Sequence, residues 1–342
     1  MQHYAGLDVS LEATAVCVID SDGEVVAERR VESDPAAIAG YLSNWSGSLA
    51  KVGLEAGSLT PWLHDGLRSR DVPAICIETR RMKAYAKASP VKTDRRDAVL
   101  IARAMRAGLY RAVHVKSETA QRLRMALTGR QLVLRQARQL QVKIRGDLKP
   151  FGIKLGRVGS VGFAPRVKQR LAVDHPELWC LIEPLLALRA ELLAQVRSYD
   201  RRLGAVARRD PVCRRLMTVP GVGVLTSLAF RATVDQPQRF RRASDVPVAF
   251  GLTPRIDESG ERARCGPITK AGDKLMRCLL FEAANALLTR CRRWCALRRW
   301  GLKVAERRGL NRARVATARR LAIILHRMWR DGSEFRWTSA AA

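Results

Sequence analysis

The chain has 342 residues, 47% of them apolar, which is enough to bury a sizeable core and excludes a disordered tail. Its formal charge is +30, from 62 Lys and Arg against 32 Asp and Glu. This excess is larger than solubility requires, so it predicts a polyanionic partner. Residues 1–79 contain 12 acids and only 5 bases, so the positive charge belongs to the rest of the chain.

Two features of the composition bear on the compartment. The sequence has no run of 18 apolar residues and no basic stretch that leads into an apolar one at its start, so we expect neither a membrane span nor a signal peptide. The eight cysteines are scattered and form no CxxC pair, which predicts reduced and mostly buried thiols. We therefore expect a cytoplasmic protein.

Alternating apolar residues predict three strands at the N-terminus, over 3–9, 13–19 and 24–31, with a turn at Asp22-Gly23. A helix around 35–45, a strand at 51–54, a helix around 61–70 and a strand at 74–78 follow. Three strands followed by alternating helix and strand is the element order of a ribonuclease-H-like, RuvC-like α/β fold with a mixed sheet. We assign it to residues 1–112.

Four acidic residues stand out in this region because they lie at the ends of apolar segments in a basic chain. Asp8 ends the first strand and Glu55 follows the fourth, and the predicted sheet brings those two strand ends together. Asp94 and Asp97 begin a helical stretch and share one of its faces. Carboxylate oxygens are the ligands that Mg²⁺ prefers, so the four acids predict a magnesium site that acts on phosphodiesters. Each acid also has an ordinary structural reading, as a turn residue or a helix cap.

The middle of the chain, residues 113–207, is predicted to be a helical coiled-coil or oligomerisation segment. Leucines recur through 117–148 among many Arg, Lys and Gln, and a second helical stretch at 178–207 could pair with it antiparallel. Residues 149–168 are rich in Gly, Pro and basic residues and are predicted to form a loop.

Residues 208–335 are predicted to be a mostly α-helical domain. Pro220-Gly221-Val222-Gly223 resembles the turn of a helix-hairpin-helix module, which presents backbone N–H groups to a phosphate, so Gly221 and Gly223 are candidate nucleic-acid contacts. A polar loop is predicted over 257–266, then a helix over 275–288 and a basic amphipathic helix over 311–330.

The ordered set of motifs resembles a family of insertion-sequence transposases with an N-terminal RuvC-like DEDD domain and a serine-bearing C-terminal transposase domain. The matching segments lie at 6–10, 54–56, 92–98, 220–223, 251–254, 259–260, 268–273 and 316–321.

The resemblance implies a DNA recombinase that is guided by a noncoding (bridge) RNA and works as a homodimer or homotetramer. It implies that Asp8, Glu55, Asp94 and Asp97 bind Mg²⁺ and that Ser259 is the nucleophile of a composite active site. Arg264 and Lys270, near Ser259 in the sequence, are candidate phosphate contacts.

Two other classes of protein remain open from the residues alone. A hydrolytic RuvC-like structure-specific nuclease would need the four acids but not Ser259. A non-enzymatic RNA- or DNA-binding protein would use the acids only structurally. An actin-like ATPase is a more distant third reading, since its second phosphate-binding loop is not recognisable in the sequence.

Overall fold

The computed structural model describes residues 1–79, 82, 93–259 and 262–337, which divide into two units, Met1–Ser117 and Glu118–Ala342. The division of the chain into three domains, with boundaries after residues 112 and 207, stays a prediction. The N-terminal α/β region and the mostly helical remainder that the sequence predicts are both present.

The N-terminal unit contains a mixed sheet of five strands in the order β3-β2-β1-β4-β5. The strands are β1 (His3–Val9), β2 (Ala13–Ile19), β3 (Val25–Glu32), β4 (Leu49–Glu55) and β5 (Ala74–Ile77). β1, β2 and β3 pair antiparallel, as the turn at Asp22-Gly23 predicts, whereas β4 is parallel to both β1 and β5.

Helices cover both faces of this sheet. On one face α1 (Pro35–Leu42) and α2 (Thr60–Arg68) pack with the leucines of β1 and β4 around a buried cluster that includes Ile38 and Leu63. On the other face lies α3 (Asp94–Ala107), whose Ala98 and Ala102 contact buried residues of β2. These two layers bury the apolar residues of β1, β2 and β4.

Two long helices open the second unit, α4 (Glu118–Leu148) and α6 (Pro176–Arg209). They run antiparallel, because Arg130 of α4 pairs with Asp200 of α6 whereas Gln141, further along α4, meets Arg189, earlier along α6. The predicted antiparallel pairing of the two helices is therefore confirmed.

The predicted loop at 149–168 is wrong in its second half. Residues Phe163–Leu171 form α5, since Phe163, Val167 and Leu171 recur at helical spacing and are fully buried against α4 and α6. Its three lysines and arginines suggested a connector, but they lie on the exposed face of the helix.

The rest of the unit packs around a large core with α8, α10 and α12 at its centre. The helices in chain order are α7 (Pro211–Leu216), α8 (Val224–Val234), α9 (Asp245–Ala249), α10 (Lys274–Thr289), α11 (Ala296–Arg308) and α12 (Leu310–Asp331). The predicted polar loop over 257–266 is wrong: β6 (Pro254–Ser259) and β7 (Arg262–Ile268) pair antiparallel there as a hairpin. These strands lack an apolar face that the sequence could reveal, because a two-stranded hairpin need not bury either face.

Candidate active site and C-terminal hairpin

Two carboxylates lie side by side at the carboxyl ends of β1 and β4. Gly6 is opposite Gly53 and Leu7 is opposite Leu54, so Asp8 and Glu55 come next on neighbouring parallel strands. Each acid ends the same tripeptide, Gly-Leu followed by Asp or Glu. The two leucines are fully buried on one face of the sheet, and the acids, one residue on, point to the other.

The face that carries the two acids is the one covered by α3. A Cβ on Gly6 would lie 2.0 Å from the carbonyl oxygen of Ala98, and a Cβ on Gly53 would lie 2.7 Å from side-chain atoms of Ile101 and Met105. Only glycine lets the helix approach this closely. Asp97, which precedes Ala98 in the first turn of α3, is half-buried.

The backbone next to Glu55 is fixed by a local hydrogen-bond network. The Thr60 hydroxyl donates to the carbonyl of Glu55 at 2.6 Å and accepts from the Gly57 N–H at 2.7 Å, while the Ala56 N–H donates to the carbonyl of Ile77 at 3.1 Å. Asp8 and Glu55 are both half-buried. Carboxylates held on ordered backbone in this way are suited to bind a cation without a large entropic cost.

Asp94 is oriented differently from the other acids. Thr93 caps α3, and the Asp94 carboxylate, 55% exposed, pairs with Arg30 of β3 at 3.4 Å. Next to it, Arg95 pairs with Glu28 of the same strand. These two ion pairs link the start of α3 to β3, but at such exposure each contributes little stability.

The described residues supply a pair of acids rather than the predicted four-acid cluster. Among residues 1–79, 82, 93–259 and 262–337, no group of three or more His, Cys, Asp or Glu is arranged to hold a metal ion. Two adjacent carboxylates fit a hard divalent cation, which takes oxygen ligands and retains several waters. Asp94 is engaged by Arg30.

Buried thiols offer no alternative nucleophile. Burial, with a smaller effect of Glu28, raises the pKa of Cys17 to about 11, and burial raises that of Cys76 to about 11 as well. Burial, followed by the charge of Asp210, raises the pKa of Cys213 to about 12. These three thiols stay protonated at neutral pH, whereas the thiolate is the reactive form. The cysteines whose side chains the structure describes are free, as the sequence predicts.

The hairpin of the second unit carries the candidate serine. Ser259 is the last residue of β6. In the backbone register of the hairpin it lies opposite Arg262 of β7, and Asp257 lies opposite Arg264. The side chains of Ser259 and Arg264 lie outside the described part of the structure. The backbone nevertheless places Ser259 at the tip of a β-hairpin, and not in an irregular loop.

The base of this hairpin is tightly anchored. A Cβ on Gly251 would lie 2.6 Å from the Ala271 nitrogen, and one on Gly272 would lie 2.2 Å from the Ala249 carbonyl oxygen, so the two backbone segments touch. Arg277 of α10 donates to the Phe250 carbonyl at 2.8 Å. Asp273 caps α10 and forms an ion pair with Arg124 of α4. The hairpin therefore projects from a rigid support.

Lys270 lies in this support and has an unusual backbone conformation. It is exposed and has a φ of +55°, a left-handed value that few residues other than glycine adopt. Such strain is often found at functional sites, and it makes Lys270 the candidate contact with the clearest structural signal.

The two candidate glycines of the Pro-Gly-Val-Gly turn differ in role. The turn does connect two helices, α7 and α8. Gly221 has a φ of +87°, and a Cβ there would lie 2.3 Å from the carbonyl oxygen of Ala283 in α10, so packing alone explains this glycine. Gly223 is the N-cap of α8, is exposed, and has no neighbour within 4 Å of its Cβ position. Both glycines are exposed, and packing constrains Gly221 but not Gly223.

Comparison with known proteins identifies the family. Residues 5–152 match the family DEDD_Tnp_IS110, described as a transposase, and residues 213–300 match the transposase family IS116/IS110/IS902. The chain is 32% identical over 329 residues to the transposase for insertion sequence element IS1111A of Coxiella burnetii, covering 94% of this chain and 87% of that protein.

The chain belongs to the IS110 family of transposases. It is also 29% identical over 326 residues to a Pseudomonas aeruginosa protein named "Probable family 20 transposase", covering 94% of both chains. The first family match covers the transposase's sheet, α3 and α4, and the second covers α8, the hairpin and α10. Both candidate sites of the transposase therefore lie within segments that match the family models.

Some features of the transposase were not predicted from its sequence. The repeated Gly-Leu-acid tripeptide was a usable signal, since it indicates two strands in register. The pairing of Arg30 with Asp94 and the left-handed Lys270 had no local signal. Within the described residues, no helix is long and apolar enough to cross a membrane.

Proposed function

We propose that this transposase cleaves and rejoins DNA strands with Mg²⁺ held by Asp8, Glu55, Asp94 and Asp97 and with Ser259 as the nucleophile. The observation that carries the proposal is the pair of in-register Gly-Leu-acid tripeptides, which puts Asp8 and Glu55 next to each other beneath α3. The two adjacent half-buried carboxylates supply oxygen ligands of the kind that a hard divalent cation takes.

The sheet supports a ribonuclease-H-like assignment for this unit. Its order, β3-β2-β1-β4-β5, with an antiparallel meander followed by parallel strands, is the one expected for that fold. In this arrangement the carboxyl ends of β1 and β4 form the edge at which a phosphodiester would be bound. Function is inferred from the carboxylates themselves, because a fold alone does not imply it.

When bound, Mg²⁺ lowers the cost of the negative charge that develops on the attacking and leaving oxygens. The Ser259 hydroxyl gives its proton to a solvent water and forms a bond to phosphorus, while the bond from phosphorus to one deoxyribose oxygen breaks and that oxygen takes up a proton from solvent. The resulting serine–phosphate ester conserves the bond energy, so a second deoxyribose hydroxyl can displace the serine and rejoin the strand. At the tip of the hairpin, Ser259 is in a position to approach the phosphodiester backbone of DNA.

Positive charge in the second unit supports binding of DNA and of a noncoding guide RNA. We propose that Lys270, Arg264 and the backbone N–H groups at Gly221 and Gly223 contact phosphates, with Gly223 at the positive end of α8. The guide RNA is proposed from the family resemblance alone.

Exposed apolar side chains on the long helices support a homodimer or homotetramer. They are Met125, Leu132 and Val142 on α4 and Leu181 and Leu188 on α6. Such side chains on a paired helical hairpin are typical of a further helix–helix contact in the manner of a coiled coil.

A denaturing gel for a covalent protein–DNA adduct tests the proposal. Purified protein with its co-purified RNA is mixed with element-junction DNA and Mg²⁺, and compared with the Ser259→Ala and Asp8→Asn variants. We expect an adduct with the native protein only, with cleavage by Asp8→Asn reduced at least about 100-fold and DNA affinity unchanged, because the metal supplies several kcal/mol of charge stabilisation.

Two substitutions serve as controls, Ser244→Ala for the serine and Glu24→Gln for the acid, since both residues are exposed in the same units. If the native protein and Ser259→Ala both cleave DNA and neither forms an adduct, the hydrolytic RuvC-like nuclease replaces this proposal. Loss of DNA binding in Asp8→Asn would make Asp8 structural, and no cleavage by any preparation would favour the non-enzymatic binder.

A further inference from the structure

The C-terminal helices carry a concentration of positive charge that the proposed active site does not use. Residues 290–330 contain fourteen Lys and Arg and one acid, Glu306. α11 packs closely on α10 and α12, because a Cβ on Gly301 would lie 2.6 Å from Leu288 and 2.8 Å from the Thr317 hydroxyl. The packed side of α11 is thereby fixed, and its basic residues Arg299, Lys303 and Arg307 are exposed.

Two tryptophan–arginine pairs border this exposed face. The guanidinium of Arg298 lies over the Trp294 ring, 4.4 Å from its centroid, and the guanidinium of Arg320 lies over the Trp300 ring at 3.6 Å. Trp294 is 58% exposed, so much of its indole surface faces solvent. A guanidinium held over an indole ring combines a positive charge with an aromatic surface.

An exposed indole distinguishes between kinds of nucleic acid. In a double helix the bases are stacked on each other, so the protein meets only phosphates and groove edges. In a single strand every base has a free π face, which stacks on aromatic rings and on guanidinium planes. Charge alone would suit either form, whereas the Trp294–Arg298 pair gains contacts only from unpaired bases.

We propose that the surface formed by Trp294, Arg298, Arg299, Trp300, Lys303 and Arg320 binds single-stranded DNA, with bases stacked on the two tryptophan–arginine pairs. The choice of single-stranded DNA as the ligand rests on the proposed function, since a strand-cleaving transposase exposes unpaired DNA next to its cut. The surface itself is defined without reference to Asp8 or Ser259, so binding and cleavage can fail separately.

The test is fluorescence anisotropy with labelled oligo(dT), an equal length of duplex DNA and oligo(U), in the absence of Mg²⁺. We expect Trp294→Ala to weaken oligo(dT) binding roughly tenfold, and duplex binding by less than about twofold, since stacking is lost and charge is kept. Trp294→Phe should recover most of the affinity. Trp62→Ala is the matched control, because Trp62 is 53% exposed and lies in α2, outside the basic segment.

Several outcomes would overturn the proposal. An equal loss for oligo(dT) and duplex would reduce the surface to a phosphate contact, and a larger loss for oligo(U) than for oligo(dT) would assign it to RNA. No loss in Trp294→Ala would remove the indole from any binding role. A loss that Trp62→Ala reproduces would indicate a general defect. Cleavage activity is not read in this assay, so an inactive protein can still confirm the site.

Discussion

At the residue scale, Gly6 and Gly53 determine how closely α3 approaches the carboxylate pair. Their missing side chains let a helix backbone rest on the sheet two residues before Asp8 and Glu55. The sequence shows these glycines only as members of short motifs, and their pattern is compatible with a turn as well as with a close approach. Packing decides between the two.

Gly6→Ala is expected to destabilise the N-terminal unit by about 3 kcal/mol, because its Cβ would overlap the backbone of α3 at Ala98 and Ala102. Urea unfolding followed by circular dichroism measures the change. Gly40→Ala is the control, since nothing lies within 4 Å of a Cβ there and the helix α1 should gain about 0.5–1 kcal/mol. Equal effects of the two substitutions would contradict the close approach of α3.

At the element scale, the connector between the long helices is held by one buried cation. Arg189 of α6 is 3% exposed and its Nη2 donates to Gln141 of α4 at 2.9 Å and to the Ser160 hydroxyl and carbonyl at 2.8 and 3.0 Å. Its guanidinium also lies 5.0 Å from the Phe163 ring centroid, at the start of α5. One side chain thus joins three segments.

Arg189→Ala should open this connector without unfolding the core of the C-terminal bundle. We expect limited trypsin cleavage after Lys154 and Arg157 to become about tenfold faster, since lost hydrogen bonds raise the population of the open form. Mass spectrometry of the fragments identifies the cut sites. Arg197→Ala, an exposed arginine of the same helix, should leave the rate unchanged. An unaltered rate in Arg189→Ala would mean that α5 packing alone holds the connector.

At the scale of the whole molecule, charge is divided between acidic and basic regions. The N-terminal 79 residues are acidic overall, and the remainder carries more than the entire net charge of +30. The proposed chemistry needs carboxylates in one region, whereas binding of polyanions needs cations elsewhere. Asp8 and Glu55 lie in the acidic region.

Affinity for duplex DNA should fall steeply with ionic strength, because each phosphate contact releases condensed counterions. Between 50 and 200 mM salt we expect a loss of about 10³-fold, the value for six or so contacts. Anisotropy titrations across that range give the slope of log affinity against log salt. A nearly flat response would contradict the assignment of the basic surfaces to nucleic acid.

The sequence by itself determined the order of elements in the first unit, because alternation and helical periodicity record which side of each element is buried. It also indicated the long helices at 118–148 and 176–209, whose apolar residues repeat over many turns. It misjudged 163–171 and 254–268, where basic or polar side chains obscured a short helix and a hairpin. In 163–171 the three buried residues are outnumbered by basic and polar ones, which masks the helical spacing.

Only the tertiary structure decided which residues meet. The register of β1 and β4 aligned Asp8 with Glu55, the two glycines let α3 lie against the face that carries these acids, and Arg30 engaged Asp94. Arg30 and Asp94 are far apart in the chain, so no local pattern encodes their contact. The same reason applies to Trp300 and Arg320, which stack only because α11 packs on α12.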